Sequence, residues 1–109
     1  MTAVYRVDTF VVPDDAREEF WGNVRRTHAV LREQAGFVDD VLLETPSAQG
    51  RFHAVTIVGW ESAEHLPAAR AAVATMHRAR GFDAAAFFAR AGIRADLTTR
   101  AAERAIATA

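Results

Sequence analysis

A ferredoxin-like α+β fold, β-α-β-β-α-(α)-β with a four-stranded antiparallel sheet, is predicted by three features of the chain. Gly36–Thr45 and Arg51–Trp60 are both strand-like and are separated only by the turn residues Pro46-Ser47-Ala48-Gln49-Gly50, so they must pair as an antiparallel hairpin. Segments of helical period stand on both sides of that hairpin, and each ends at a glycine. One further strand-like segment opens the chain and another follows the last helix.

The first strand is Ala3–Val12, with bulk from Val4, Tyr5, Val7, Phe10, Val11 and Val12, and Pro13-Asp14 ends it. Asp15 with Glu18 three residues on reads as a capping-box-like helix start that sets acids on the positive end of the dipole. Phe20, Val24, Thr27 and Leu31 recur along one helix face. Gly36 is expected to stop this helix in the left-handed position. In the second strand Phe37, Val41 and Leu43 share one face, and Val38 and Leu42 the other.

Arg51–Trp60 is the strand around which the chain is organised. Phe52, Ala54, Thr56, Val58 and Trp60 lie on one face, and Arg51, His53, Val55, Ile57 and Gly59 on the other. Both faces are largely apolar, so the strand belongs inside a sheet that is covered on both sides. Ser62 is a cap candidate, and the next regular helix should begin near Pro67, with Leu66, Ala69, Val73 and Met76 as its stripe and Gly81 as its end. Asp83 caps a short helix Ala84–Ala91 carrying Phe87 and Phe88, and Gly92 closes it. Ile93–Arg100 is the last strand. Residues 1–100 therefore form one domain, with 101–109 an Ala-rich tail that is either helical or frayed.

Composition excludes several function classes. The 109 residues suffice for one domain that buries about 65% of its unfolded surface. Its 13 basic residues are all arginine and are interspersed with 14 acids, so there is no basic stripe for nucleic acid. The absence of cysteine removes disulfides, thiolate nucleophiles and Cys-based zinc sites. No apolar run approaches membrane-spanning length and MTAVYRVDTF is not a signal sequence, so a cytoplasmic protein without membrane contact is expected. Helices on one sheet face leave the other apolar face open, and two sheets packed face to face in a homodimer would cover it.

Strand–turn–helix residues Thr56-Ile57-Val58-Gly59-Trp60-Glu61-Ser62, together with the Gly36-Phe37 opening of the second strand, resemble those of the antibiotic biosynthesis monooxygenase-like family. The resemblance implies a dimeric α/β barrel. It also implies cofactor-independent oxygenation, by O2, of an aromatic, phenolic or quinol-like molecule held in an apolar pocket between sheet and helices. Trp60 then matches the tryptophan of the phenol-oxidising members, Thr56 falls where their pocket asparagine sits, and Arg80 falls near their pocket arginine. His77 lies near the histidine that ligates iron in the haem-degrading branch, while that branch's first-strand asparagine has no counterpart between Val4 and Val12.

The expected site therefore has Trp60, Arg80 and His77 as catalytic residues and Phe52, Thr56 and Phe87 as substrate-binding ones, with no metal and no cofactor. Read from the residues alone, Trp60 is also an ordinary core or interface anchor. His53 on the open face suggests an interface hydrogen bond, and His28 faces either sheet or solvent. Only one of Asp39 and Asp40 can point inside, because neighbours in a strand face opposite ways. An inward Asp39 would be a candidate base, and a salt bridge to one of the arginines is the alternative. A non-catalytic ligand-binding or structural dimer of the same fold is the competing reading, and the substitution of Thr56 for an amide is its best argument.

Overall fold

The computed structural model describes residues 3–102. Its elements follow the order β1 (Ala3–Pro13), α1 (Arg17–Arg32), β2 (Phe37–Pro46), β3 (Arg51–Trp60), α2 (Leu66–Ala79), α3 (Ala84–Ala91) and β4 (Arg94–Ala102). The four strands form one sheet in the order β2-β3-β1-β4, all neighbours antiparallel. This is the ferredoxin-like arrangement: each helix crosses over from one strand to another that lies two places away in the sheet.

Burial along β3 alternates as the sequence requires, with Phe52, Ala54, Thr56, Val58 and Trp60 all inside under the helices. Opposite them on β1 stand Val4, Phe10 and Val12, and between these come the polar Arg6 and Asp8. The other sheet face carries Val7, Val41, Leu43, Val55 and Ile57. Of these, Val41 and Leu43 are exposed at the β2 edge.

Two local expectations are corrected. The Asp15–Glu18 capping box does not form: Asp14–Ala16 make a single 3-10 turn, and Ala16, without a capping side chain, precedes α1. Nor does α1 run to Gly36. It ends at Arg32, and Gly36 takes its left-handed backbone (φ 84°) in the turn before β2.

A register irregularity between Phe37 and Asp39 matters more. It sets Phe37 on the helix face, where its ring meets Trp60 edge-on at 5.9 Å, while Val41 and Leu43 lie on the open face. A uniform strand would keep all three together. Beyond the irregularity the register is regular and sets Asp40, opposite Val58, among the inward residues. Asp39 is on the open face, so close to Gly59 that a Cβ there would stand 2.5 Å from its Oδ1.

Pro67 sits in the first turn of α2, where its missing N–H costs nothing. Asp83 accepts from the Ala86 amide at 3.1 Å and Gly92 closes α3 with φ 73°, both as the sequence suggests. Ser62 makes no capping bond, and its hydroxyl is buried without a partner. Ala101 and Ala102 extend β4 beyond the expected Arg100, and residues 103–109, on which the expected tail falls, lie outside the described residues.

Candidate functional site

The helix face of the sheet is filled at one end and open at the other. Phe10, Phe20, Trp21, Phe52 and Phe87 close the first end, with Phe20 centred 5.0 Å from Phe10 and 6.2 Å from Phe52. Toward Trp60 the strands and helices instead enclose a cavity of about 250 Å³.

Each wall of the cavity follows from a local pattern. Arg6 and Asp8 of β1 and Val58 and Trp60 of β3 are inward residues two apart on paired strands, so they make a continuous floor. Thr27, His28 and Leu31 overhang from α1. Leu66, Ala69, Arg70 and Val73 are spaced i, i+3, i+4, i+7 on α2 and form the opposite wall. Ala69, 3% exposed, is small enough to leave the space open.

Polar groups cluster where β1, β2 and α1 meet. Asp8 Oδ2 accepts from Arg6 Nε at 3.3 Å, while Oδ1 is buried without a hydrogen-bond partner. Burial raises the Asp8 pKa above the usual carboxylate value, and the Arg6 charge only partly opposes it. His28 is 4% exposed, and its Nδ1 lies 2.9 Å from Asp40 Oδ2, which Arg32 also reaches at 2.9 Å. Burial alone would raise Asp40 too, but hydrogen bonds from His28 and Arg32 hold its carboxyl below the usual range. The salt bridge to an arginine, expected as the alternative for Asp39, is made instead by Asp40, which binds a histidine as well. Nothing in the sequence marks the pair: His28 and Asp40 are twelve residues apart and are joined only by the β2 register.

The six residues singled out from sequence do not gather at one place. Trp60, 2% exposed, lines the cavity. Thr56 is buried on the same strand face, directly opposite Asp8 on β1. Phe52 and Phe87 lie in the aromatic core at the other end, buried among Phe10, Phe20 and Trp21 and outside the cavity lining. His77 stands behind the cavity wall, its Nε2 3.5 Å from Thr27 Oγ1 and its ring edge-on to Phe82 at 5.0 Å. Burial, and then the Arg80 charge, lowers the His77 pKa.

The expected overhang of Arg80 is corrected. It follows the last turn of α2 with an exposed side chain, facing a surface groove shared with Glu18, Glu19, Asn23 and Phe82. Helical spacing from His77 is satisfied, but α2 turns that position outward. Arg6, Asp8 and His28 are polar cavity groups outside the expected site, and Asp40 stands behind His28. The only signal was two charged residues, Arg6 and Asp8, among the inward positions of an otherwise apolar strand.

Among the described residues no group of three or more His, Cys, Asp or Glu side chains could hold a metal ion, and no helix is long and apolar enough to cross a membrane.

Monooxygenases of the antibiotic-biosynthesis type recur among solved structures of this ferredoxin-like fold. SnoaB, a cofactor-independent oxygenase from Streptomyces nogalater, aligns over 97% of this chain and 98% of its own, with 22% identity and a TM-score of 0.67. A dimeric ferredoxin-like protein from an uncultured marine organism aligns over 97% and 100%, with 12% identity and a TM-score of 0.67. A haem-degrading protein from Mycobacterium tuberculosis aligns over 98% of both chains, with 23% identity and a TM-score of 0.55. At such identities the likeness is one of fold, which hosts more than one chemistry. No protein-family model and no curated protein matches the sequence.

Proposed function

We propose that the protein is a cytoplasmic homodimer that oxygenates a small phenol or quinol with O2, without metal, flavin or haem. The observation that carries this reading is the largely apolar cavity floored by Trp60, with Arg6, Asp8, Thr27 and His28 on one side of it and Arg70 on the opposite wall. An indole face suits a flat aromatic ligand. Sites for drug-sized ligands usually exceed about 300 Å³, so a cavity of about 250 Å³ suits a molecule of one to three rings.

Such a substrate brings its own electrons. Removing the hydroxyl proton gives an electron-rich phenolate, which reduces O2; one oxygen atom enters a ring carbon and the other leaves as water, the electrons coming from the substrate's C–H and O–H bonds. The protein has to bind the ring, take the proton and exclude water. In this reading Trp60 stacks on the ring and the Thr56 hydroxyl supports the polar end. His77 backs Thr27, and Phe52 and Phe87 act only through the rigidity of the core. That SnoaB, of the same fold, works without a cofactor supports the oxygenase reading.

The homodimer is supported by the open face of Val7, Val41, Leu43, Val55 and Ile57, which a second sheet would cover, and by a dimeric neighbour of the same fold. Light scattering at micromolar concentration should give twice the chain mass.

The test is oxygen uptake with a panel of hydroquinones, naphthols and anthrones. Uptake above the uncatalysed background is expected for at least one of them. Ala69→Leu, which fills the cavity, should reduce it at least tenfold while stability stays within about 1.5 kcal/mol. Background uptake alone, with aromatic ligands still quenching tryptophan fluorescence, would instead identify a non-catalytic binding protein.

A further inference from the structure

We infer that His28 is the group that accepts the proton from a phenolic ligand in the cavity, with Asp40 as its positioning residue and Arg32 as the clamp on Asp40. The inference rests on the oxygenase reading for the identity of the ligand. It concerns a step that precedes oxidation and is measurable without it.

An ionised carboxylate only accepts hydrogen bonds, so the 2.9 Å contact between Asp40 Oδ2 and His28 Nδ1 fixes the proton on Nδ1. In the neutral ring Nε2 is then the lone-pair nitrogen. It has no partner among the described residues, and the ring lines the cavity. A histidine whose ring lines a cavity, with a carboxylate held on its Nδ1, has the arrangement of a general base. In the step, the ligand O–H bond breaks, an Nε2–H bond forms, and the electron pair stays on the phenolate oxygen. The resulting imidazolium is stabilised by Asp40, which the hydrogen bond from Arg32 keeps ionised.

The other titratable groups facing this space are less suited. Asp8 shares one oxygen with Arg6, and its other oxygen is buried out of a ligand's reach; burial also favours its protonated form. His77 is turned to Thr27 and Phe82 behind the wall. Arg6 on β1 and Arg70 on α2 are cations that favour a phenolate but accept no proton. The edge beside the aromatic end offers a contrast: there Trp21 Nε1 and Arg17 both donate to the exposed carboxylate of Glu44.

The probe is 2-naphthol, which is not turned over without oxygen and whose phenolate absorbs at longer wavelength than its phenol. Under anaerobic conditions at neutral pH, adding the wild-type protein should produce the phenolate band in step with tryptophan quenching. His28→Gln should keep the quenching and lose the band at least tenfold. Asp40→Asn should shift the pH midpoint of the band, a change that lost packing alone would not cause, and Arg32→Gln should shift it less in the same direction. Should His28→Gln fail to fold, ¹⁵N NMR of the histidine rings in the wild-type protein gives the same answer, because Nε2 of His28 must gain a proton when 2-naphthol binds.

An unchanged band in His28→Gln, a band lost instead in Asp8→Asn, or no ionisation of bound 2-naphthol would overturn the inference. So would a failure of 2-naphthol to bind at all. Ionisation at His28 without oxygen uptake by any substrate of the panel leaves the proton acceptor established and removes the oxygenase reading alone.

Discussion

The two ends of the space under the helices are made by the same strands yet behave oppositely. At the Phe52 end, β1 contributes Phe10 and Val12, and α1 and α3 add Phe20, Trp21 and Phe87, so aromatic rings fill every gap. At the Trp60 end, β1 contributes Arg6 and Asp8 and α2 contributes Ala69, and the smaller cluster of Val58, Trp60 and Ala69 leaves an opening. Charged groups at inward positions cannot close on one another as phenyl rings do, because each needs a partner or water. The filled end supplies stability, and the open end is where chemistry can be done.

The largest effect expected from this contrast follows truncation at the filled end. Phe20→Ala removes a ring, 1% exposed, that packs against Phe10, Trp21 and Phe52, and should cost about 3–5 kcal/mol in urea unfolding. A loss below about 1 kcal/mol would mean that the aromatic end is not the core.

A smaller effect of opposite sign is expected at the open end. Because burial raises the folded-state pKa of Asp8, its neutral form is the one the fold prefers. Its contribution is therefore most favourable below the unfolded value of 3.8 and is lost as pH rises through the higher folded value. Asp8→Asn, which cannot ionise, should be about 1 kcal/mol more stable than wild type at pH 7 and should lose that advantage near pH 3. Thermal melts at the two pH values check this. Asp40 works in the reverse sense: its lowered pKa adds stability above the unfolded value, and that stability is lost on acidification.

The smallest effect belongs to Arg80. Since it lies in a surface groove, Arg80→Ala should change stability by less than about 0.5 kcal/mol and leave ligand binding within twofold of wild type. A tenfold loss of binding would show that the groove and the cavity act as one site.

Where a residue's role depends on period and turn chemistry, the amino-acid sequence determined it alone. The bounds of β3 and α3, the hairpin, the Asp83 cap and the glycine end at Gly92 follow from alternation, β-branching and backbone freedom, all of which act over a few residues. The inward face of β3, with Trp60 on it, follows for the same reason. Three features were left to the tertiary structure. Pairing with β3 chose Asp40, opposite Val58, over Asp39 as the inward carboxylate, and the irregularity after Phe37 set that ring on the same face. The rotation of α1 and α2 against the sheet buried His28 and exposed Arg80, which helical spacing leaves open. Packing then divided one apolar interior into a closed aromatic end and an open end at Trp60, because whether side chains fill a space depends on the rings that meet from different elements, and no single segment encodes that meeting.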